Sequence, residues 1–256
     1  MGIQGKSLRA LLAVIALSAA LAGGAHAAMI KVGDLVLRAD GGFTPNTLPR
    51  NEFVPIKFQA HADLSRTGGG TPPALQQAIL DFDRDGRLTA AGLARCSPEE
   101  IDTASPRQAR RICSEAIVGK GHVRALVTVP FLGSLPASSA LTMFNGPPQA
   151  GNPTVVLHAQ MTSPAFQTFA VVVPIEQRRH GQFGYRATVN LPPIAGGLGA
   201  LTHVDMEVGR RFKAKGKERS YVSARCRDGI FDTHGRFTFD DGTVMDGAVQ
   251  KACNVR

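Results

Sequence analysis

Strict two-residue alternation of apolar and polar side chains runs through most of this chain, and it constrains the fold more than any other feature. Between Val54 and Leu64, the residues Val54, Ile56, Phe58, Ala60, Ala62 and Leu64 fall on one side, and Lys57, Gln59, His61 and Asp63 on the other. Side chains of a strand point alternately to opposite faces, so this pattern buries one face and wets the other. Comparable runs cover 32–39, 122–129, 139–144, 154–161, 165–176, 183–191, 202–208, 219–226, 235–240 and 243–250. Short strands at this spacing, with 28 glycines and 16 prolines for the turns, predict an all-β chain. An antiparallel sandwich or an incompletely closed barrel both satisfy the pattern. Asp85-Gly86 and Asp241-Gly242 each lie between extended runs and read as hairpin turns.

One stretch departs from the alternation. Ser97-Pro98-Glu99-Glu100 has the order of a cap, a proline and an acidic first turn, and Arg107 to Ile112 follows Pro106. A short helical insertion is therefore expected near 97–112. The Gly- and Pro-rich segment Asn145 to Pro153 is read as a long hairpin loop, the alternative being a linker that divides residues 28–256 into two subdomains near 145–153.

Residues 1–27 read as a secretory signal peptide. Lys6 and Arg9 supply the positive start, Leu11 to Leu21 is apolar, and Ala25-His26-Ala27 is a small-x-small cleavage site. The apolar run is short for a span of roughly 20 residues, and no later stretch qualifies. Secretion or another extracytoplasmic location is expected, where disulfides persist. All four cysteines lie beyond the leader. Pairing Cys96 with Cys113 and Cys226 with Cys253 closes one local loop in each part of the chain; a four-thiolate metal site would need a C-x-x-C spacing that is absent.

Residues with chemical potential form four groups. Asp81, Asp83 and Asp85 with Gly86 match the start of a calcium loop, which places oxygens at positions 1, 3 and 5 and glycine at 6; position 12 is Gly92 where a bidentate glutamate is needed. Calcium is the only cofactor this spacing suggests. His203, Asp205 and Glu207 share one face of a strand and would ligate a metal or exchange protons, or simply form an exposed polar face. His61 with Asp63 reads the same way. Arg210, Arg211, Lys213, Lys215, Lys217 and Arg219 against Glu218 make a basic stretch whose charges would project together from a hairpin.

The chain carries a formal net charge of +9, of which Lys6 and Arg9 contribute two. Such a protein is attracted to phosphate- or uronate-bearing polymers. Nothing points to a specific nucleic acid. The nucleophile elbow G-x-S-x-G and the zinc-protease H-E-x-x-H are both missing, and the glycine-rich Ala195 to Gly199 lacks the Lys-Ser or Lys-Thr of a phosphate cradle.

Four stretches, 37–43, 193–199, Arg219 to Cys226 and Phe239-Asp240-Asp241-Gly242, resemble segments of uncharacterised secreted proteins of high-GC Gram-positive bacteria. The resemblance implies secretion and a β-rich fold and carries no activity. The leading expectation is a non-catalytic binding or structural module of the cell envelope that contacts anionic polymers through Arg210 to Arg219. Alternatives are a secreted enzyme using one of the acid or metal groups, and a carrier whose curved sheet encloses an apolar ligand.

Overall fold

The computed structural model describes residues 28–256. The expected leader, residues 1–27, lies outside the described residues. Twelve strands form one large antiparallel sheet: β1 (Ala28–Val32), β2 (Leu35–Thr44), β3 (Lys57–Arg66), β4 (Leu75–Asp83), β5 (Ile117–Val129), β6 (Gly133–Asn145), β7 (Thr154–Met161), β8 (Gln167–Gln177), β9 (Phe183–Asn190), β10 (Gly199–Val208), β11 (Ile230–Phe239) and β12 (Val244–Ala252). Their spatial order is β1-β2-β3-β10-β5-β6-β7-β8-β9-β4-β11-β12. Sequence neighbours mostly pair as hairpins. The two exceptions are β10, which inserts between β3 and β5, and β4, which inserts between β9 and β11.

The sheet curls until its ends meet, giving a nearly closed barrel. β1 and β12 share no ladder of hydrogen bonds, so side chains close the seam. Ile30 fills the space left by Gly247, where any Cβ would collide with it. Beneath the seam, Leu35, Leu37 and Leu64 from the first strands pack on Phe239 and Met245 from the last. Closure in this manner removes most of the exposed edge that a flat sheet of this size would present.

The interior is lined by the apolar half of the alternation. Val155 and Leu157 of β7 join Val173, Ile175, Ala187, Leu80 and Phe82. Phe58 of β3 and Phe82 of β4 meet edge to face with ring centroids 5.8 Å apart, although their strands are not neighbours in the sheet. Leu93, Val118, Met143 and the fully buried Tyr221 plug the adjoining region.

Opposite residues on β6, β7 and β8 face outwards and are nevertheless buried. Phe144 pairs with Val156, and Val156 with Val172. This outer face is covered by the insertion, whose Cys96, Ile101, Ala104, Ala109, Cys113 and Ala116 pack on Phe144 and Val156. As expected from the sequence, the insertion is helical in short pieces: a 3₁₀ turn at Pro98–Glu100 and α1 at Pro106–Ile112. Ser105 caps α1 by accepting from the Gln108 backbone N–H while the Gln108 side chain accepts from the Ser105 N–H, a reciprocal arrangement that satisfies two orphan donors. The Cys96–Cys113 disulfide ties both ends of the insertion together, with Cα atoms 5.6 Å apart. Cys226–Cys253 joins the end of β12 to the segment before β11. Both expected pairings are present. Among the described residues no helix is long and apolar enough to cross a membrane.

Two local expectations fail. Asp85-Gly86 does not close a hairpin: after β4 the chain leaves the large sheet, and Gly86–Leu88 pairs with Val222–Ala224 instead. The run 219–226 is not one strand either. It breaks at Tyr221, whose side chain enters the core, so Lys217–Ser220 and Val222–Ala224 serve different sheets. Segment 146–153 links the paired strands β6 and β7.

Candidate functional site

The basic stretch forms a two-stranded ribbon standing apart from the large sheet, Arg211–Ala214 paired with Lys217–Ser220. Its tip is the two-residue turn Lys215-Gly216, with φ of 51° and 73°. Positive φ at both positions is what the right-handed twist of a tight hairpin demands, and glycine supplies it freely at the second. The inner face is anchored: Phe212 packs with Tyr221 and Leu93, and Ala214 lies against Gly92. Arg211, Lys213, Lys215, Lys217 and Arg219 are all exposed, and none has an ion-pair partner among the described residues.

Register corrects the expected common projection. Arg211 and Lys213 share a face with Glu218, which sits opposite Lys213, whereas Lys217 and Arg219 lie on the face of Ala214 and Phe212. Lys215 joins both at the tip. Arg210 does not belong to this free set. Its guanidinium donates to the carbonyls of Ser114 and Ile117, both at 3.0 Å, and pairs with Glu115, fastening the root of the ribbon to the insertion.

Asp81, Asp83 and Asp85 are buried and engaged separately. Arg186 grips Asp81 with two bonds of 2.7 Å, and this holds the Asp81 carboxyl below the usual carboxylate range. Asp83 accepts from the backbone N–H of Asp85 and of Asp232, while burial, the larger effect, pushes its carboxyl up. Asp85 accepts from Arg225 at 3.0 Å, with Arg227 against the same oxygen. The local spacing that suggested a calcium loop thus serves three separate structural contacts.

Histidines and acids on the barrel wall come together instead. β10 runs antiparallel to β3, setting His203 opposite Asp63 and Asp205 opposite His61. Asp63 takes His61 Nε2 at 2.7 Å on one oxygen and His203 Nδ1 at 2.8 Å on the other. His203 Nε2 lies 3.2 Å from Asp205. The two imidazoles meet edge to face, with centroids 4.8 Å apart. Burial raises the Asp63 carboxyl, but the hydrogen bonds from His203 and His61 outweigh it and leave the group below its ordinary value. His203 is nearly enclosed, while His61 and Asp63 remain about half open to solvent. Glu207 is drawn aside by Lys57 and Gln59 and does not join the cluster. Beside it opens a cleft of about 560 Å³, lined among others by Asp40, Gln59, His61, Lys120, His122 and Asp205.

In the sequence alone, His61-Asp63 and His203-Asp205-Glu207 lie on two separate strand faces. Only the pairing of β3 with β10, about 140 residues apart along the chain, unites them. No protein-family model, curated protein or solved structure matches this chain.

Proposed function

We propose that this protein is an extracytoplasmic binding module that contacts anionic envelope polymers through the ribbon 211–220. The observation that carries the reading is the ribbon itself: five exposed cations, unpaired among the described residues, on a hairpin held in place by Phe212 and Arg210. Other cations, among them Lys57, Arg66, Arg186, Arg225 and Arg227, neutralise acids of the same molecule. Arg107, Arg110, Arg111, Arg178 and Arg179 are exposed without an ion-pair partner among the described residues but do not share one hairpin. A fixed backbone under free cations removes the cost of ordering a loop on binding, and the charges attract phosphate or uronate groups at long range. Two disulfides agree with an oxidising compartment. No catalytic step is part of this reading.

The test is capture of the purified protein on beads bearing polyphosphate or polyuronate. A ribbon variant with Arg211, Lys213, Lys215, Lys217 and Arg219 changed to serine is compared with an equal-charge control, in which Arg107, Arg110, Arg111, Arg178 and Arg179 are changed. The reading expects the ribbon variant to be lost from the beads and the control to be retained. Equal retention of both variants, or equal loss, removes the ribbon from the account.

A further inference from the structure

We propose that His61, Asp63 and His203 bind one divalent transition-metal ion of the zinc class on the barrel wall. One ring nitrogen from each of His61 and His203 and a carboxylate oxygen of Asp63 all lie within 4.8 Å of one another, and the nitrogens that meet Asp63 are His61 Nε2 at 2.7 Å and His203 Nδ1 at 2.8 Å. Two imidazoles and one carboxylate form a nitrogen- and oxygen-donor set that suits Zn²⁺ and disfavours the hard ions Ca²⁺ and Mg²⁺, which take oxygen alone.

Three features argue beyond proximity. First, the donors come from two adjacent strands of a long antiparallel pairing, β3 with β10, so the backbone fixes their spacing. Second, the far nitrogen of His203 faces Asp205 at 3.2 Å. A ligating histidine that donates its other N–H to a carboxylate is held in one tautomer and made a stronger ligand, the usual outer support of a metal site. Third, His61 and Asp63 open to solvent beside the cleft, which leaves a coordination position for water or a ligand group, whereas His203 is enclosed. Without an ion, Asp63 sits between two rings; an ion would replace the shared hydrogen bonds with bonds to the same three atoms.

Neighbouring charges are mixed. Arg38 lies opposite Asp63 and Arg124 opposite His203, while Asp40 lies opposite His61. The two cations oppose an incoming ion, and Asp40, Asp63 and Asp205 favour it.

The test is calorimetric titration of the metal-free, untagged protein with ZnCl₂, with CaCl₂ and MgCl₂ as comparisons. One Zn²⁺ per chain is expected, with no binding of Ca²⁺ or Mg²⁺ at the same site. His61→Ala and Asp63→Asn, at positions open enough to leave the core untouched, should each weaken Zn²⁺ at least tenfold. Asp205→Asn should weaken it roughly 10- to 100-fold. His234→Ala, which breaks a separate His234–Asp246 pair of 2.6 Å, should leave it unchanged. Melting of each variant without metal confirms that it folds. Failure to bind Zn²⁺ overturns the proposal, as does binding that survives His61→Ala and Asp63→Asn or that His234→Ala abolishes equally.

Discussion

Changing Phe144 to alanine tests whether the insertion truly converts an outer wall into a core. Phe144 is fully buried, although it points away from the barrel interior and shares its face with Val156 and Val172. Its surroundings are Ile101, Ala104, Ala109, Ala116 and the Cys96–Cys113 bridge, all brought by the insertion. Removing a buried phenylalanine costs about 3–5 kcal/mol, because the lost transfer energy is joined by the cavity left behind. For a folded unit the size of residues 28–256 each kcal/mol lowers Tm by roughly 2–4 °C, so a fall of about 6–20 °C is expected. Urea unfolding followed by circular dichroism measures the free energy, and a thermal scan checks it. Phe131→Ala supplies the internal control: the same chemistry at a fully exposed position should change stability by less than ~0.5 kcal/mol. If Phe144→Ala costs under ~1 kcal/mol, the insertion does not lie where we describe it.

Two further outcomes follow from single contacts. His158 is fully buried beneath the insertion, and its Nε2 meets the Ala104 carbonyl at 3.0 Å. Burial lowers its affinity for a proton below the ordinary 6.5, so the unfolded chain binds more protons as pH falls through that value. Urea midpoints of the native protein should therefore drop between pH 7 and 5, and His158→Gln should flatten that drop. Arg210→Ala should cost about 1–2 kcal/mol in the same assay through the lost charged hydrogen bonds to Ser114 and the part-buried Ile117 carbonyl, while Lys215→Ala should stay within ~0.5 kcal/mol.

Alternation made the strands legible, even where both faces of a strand are covered. The run 154–161 appears at its expected bounds as β7. Cysteine spacing was equally readable, since each pair closes a short loop. What alternation cannot supply is which distant strand becomes a neighbour. His61 and His203 therefore looked like unrelated surface residues until β10 took its place beside β3. For the same reason Phe144 could not be told from an ordinary inward residue, because its cover comes from elsewhere in the chain. Turn chemistry misled at Asp85-Gly86: the local signal was sound for a reversal, but Gly86–Leu88 finds its partner in Val222–Ala224. The basic ribbon was visible as composition, yet its division into two faces and the withdrawal of Arg210 depended on register and on the insertion.

The most direct measurement is the salt dependence of polyphosphate affinity for the native protein and the five-serine ribbon variant. Each cation that neutralises a phosphate on a flexible chain adds roughly 0.7 to the slope of log K against log salt. Three to five engaged ribbon cations give a native slope steeper than the variant's by about 2 to 3.5. Between 50 and 200 mM salt that difference weakens the native complex by an additional ~16- to 130-fold. Parallel lines for the two proteins would contradict the ribbon's role.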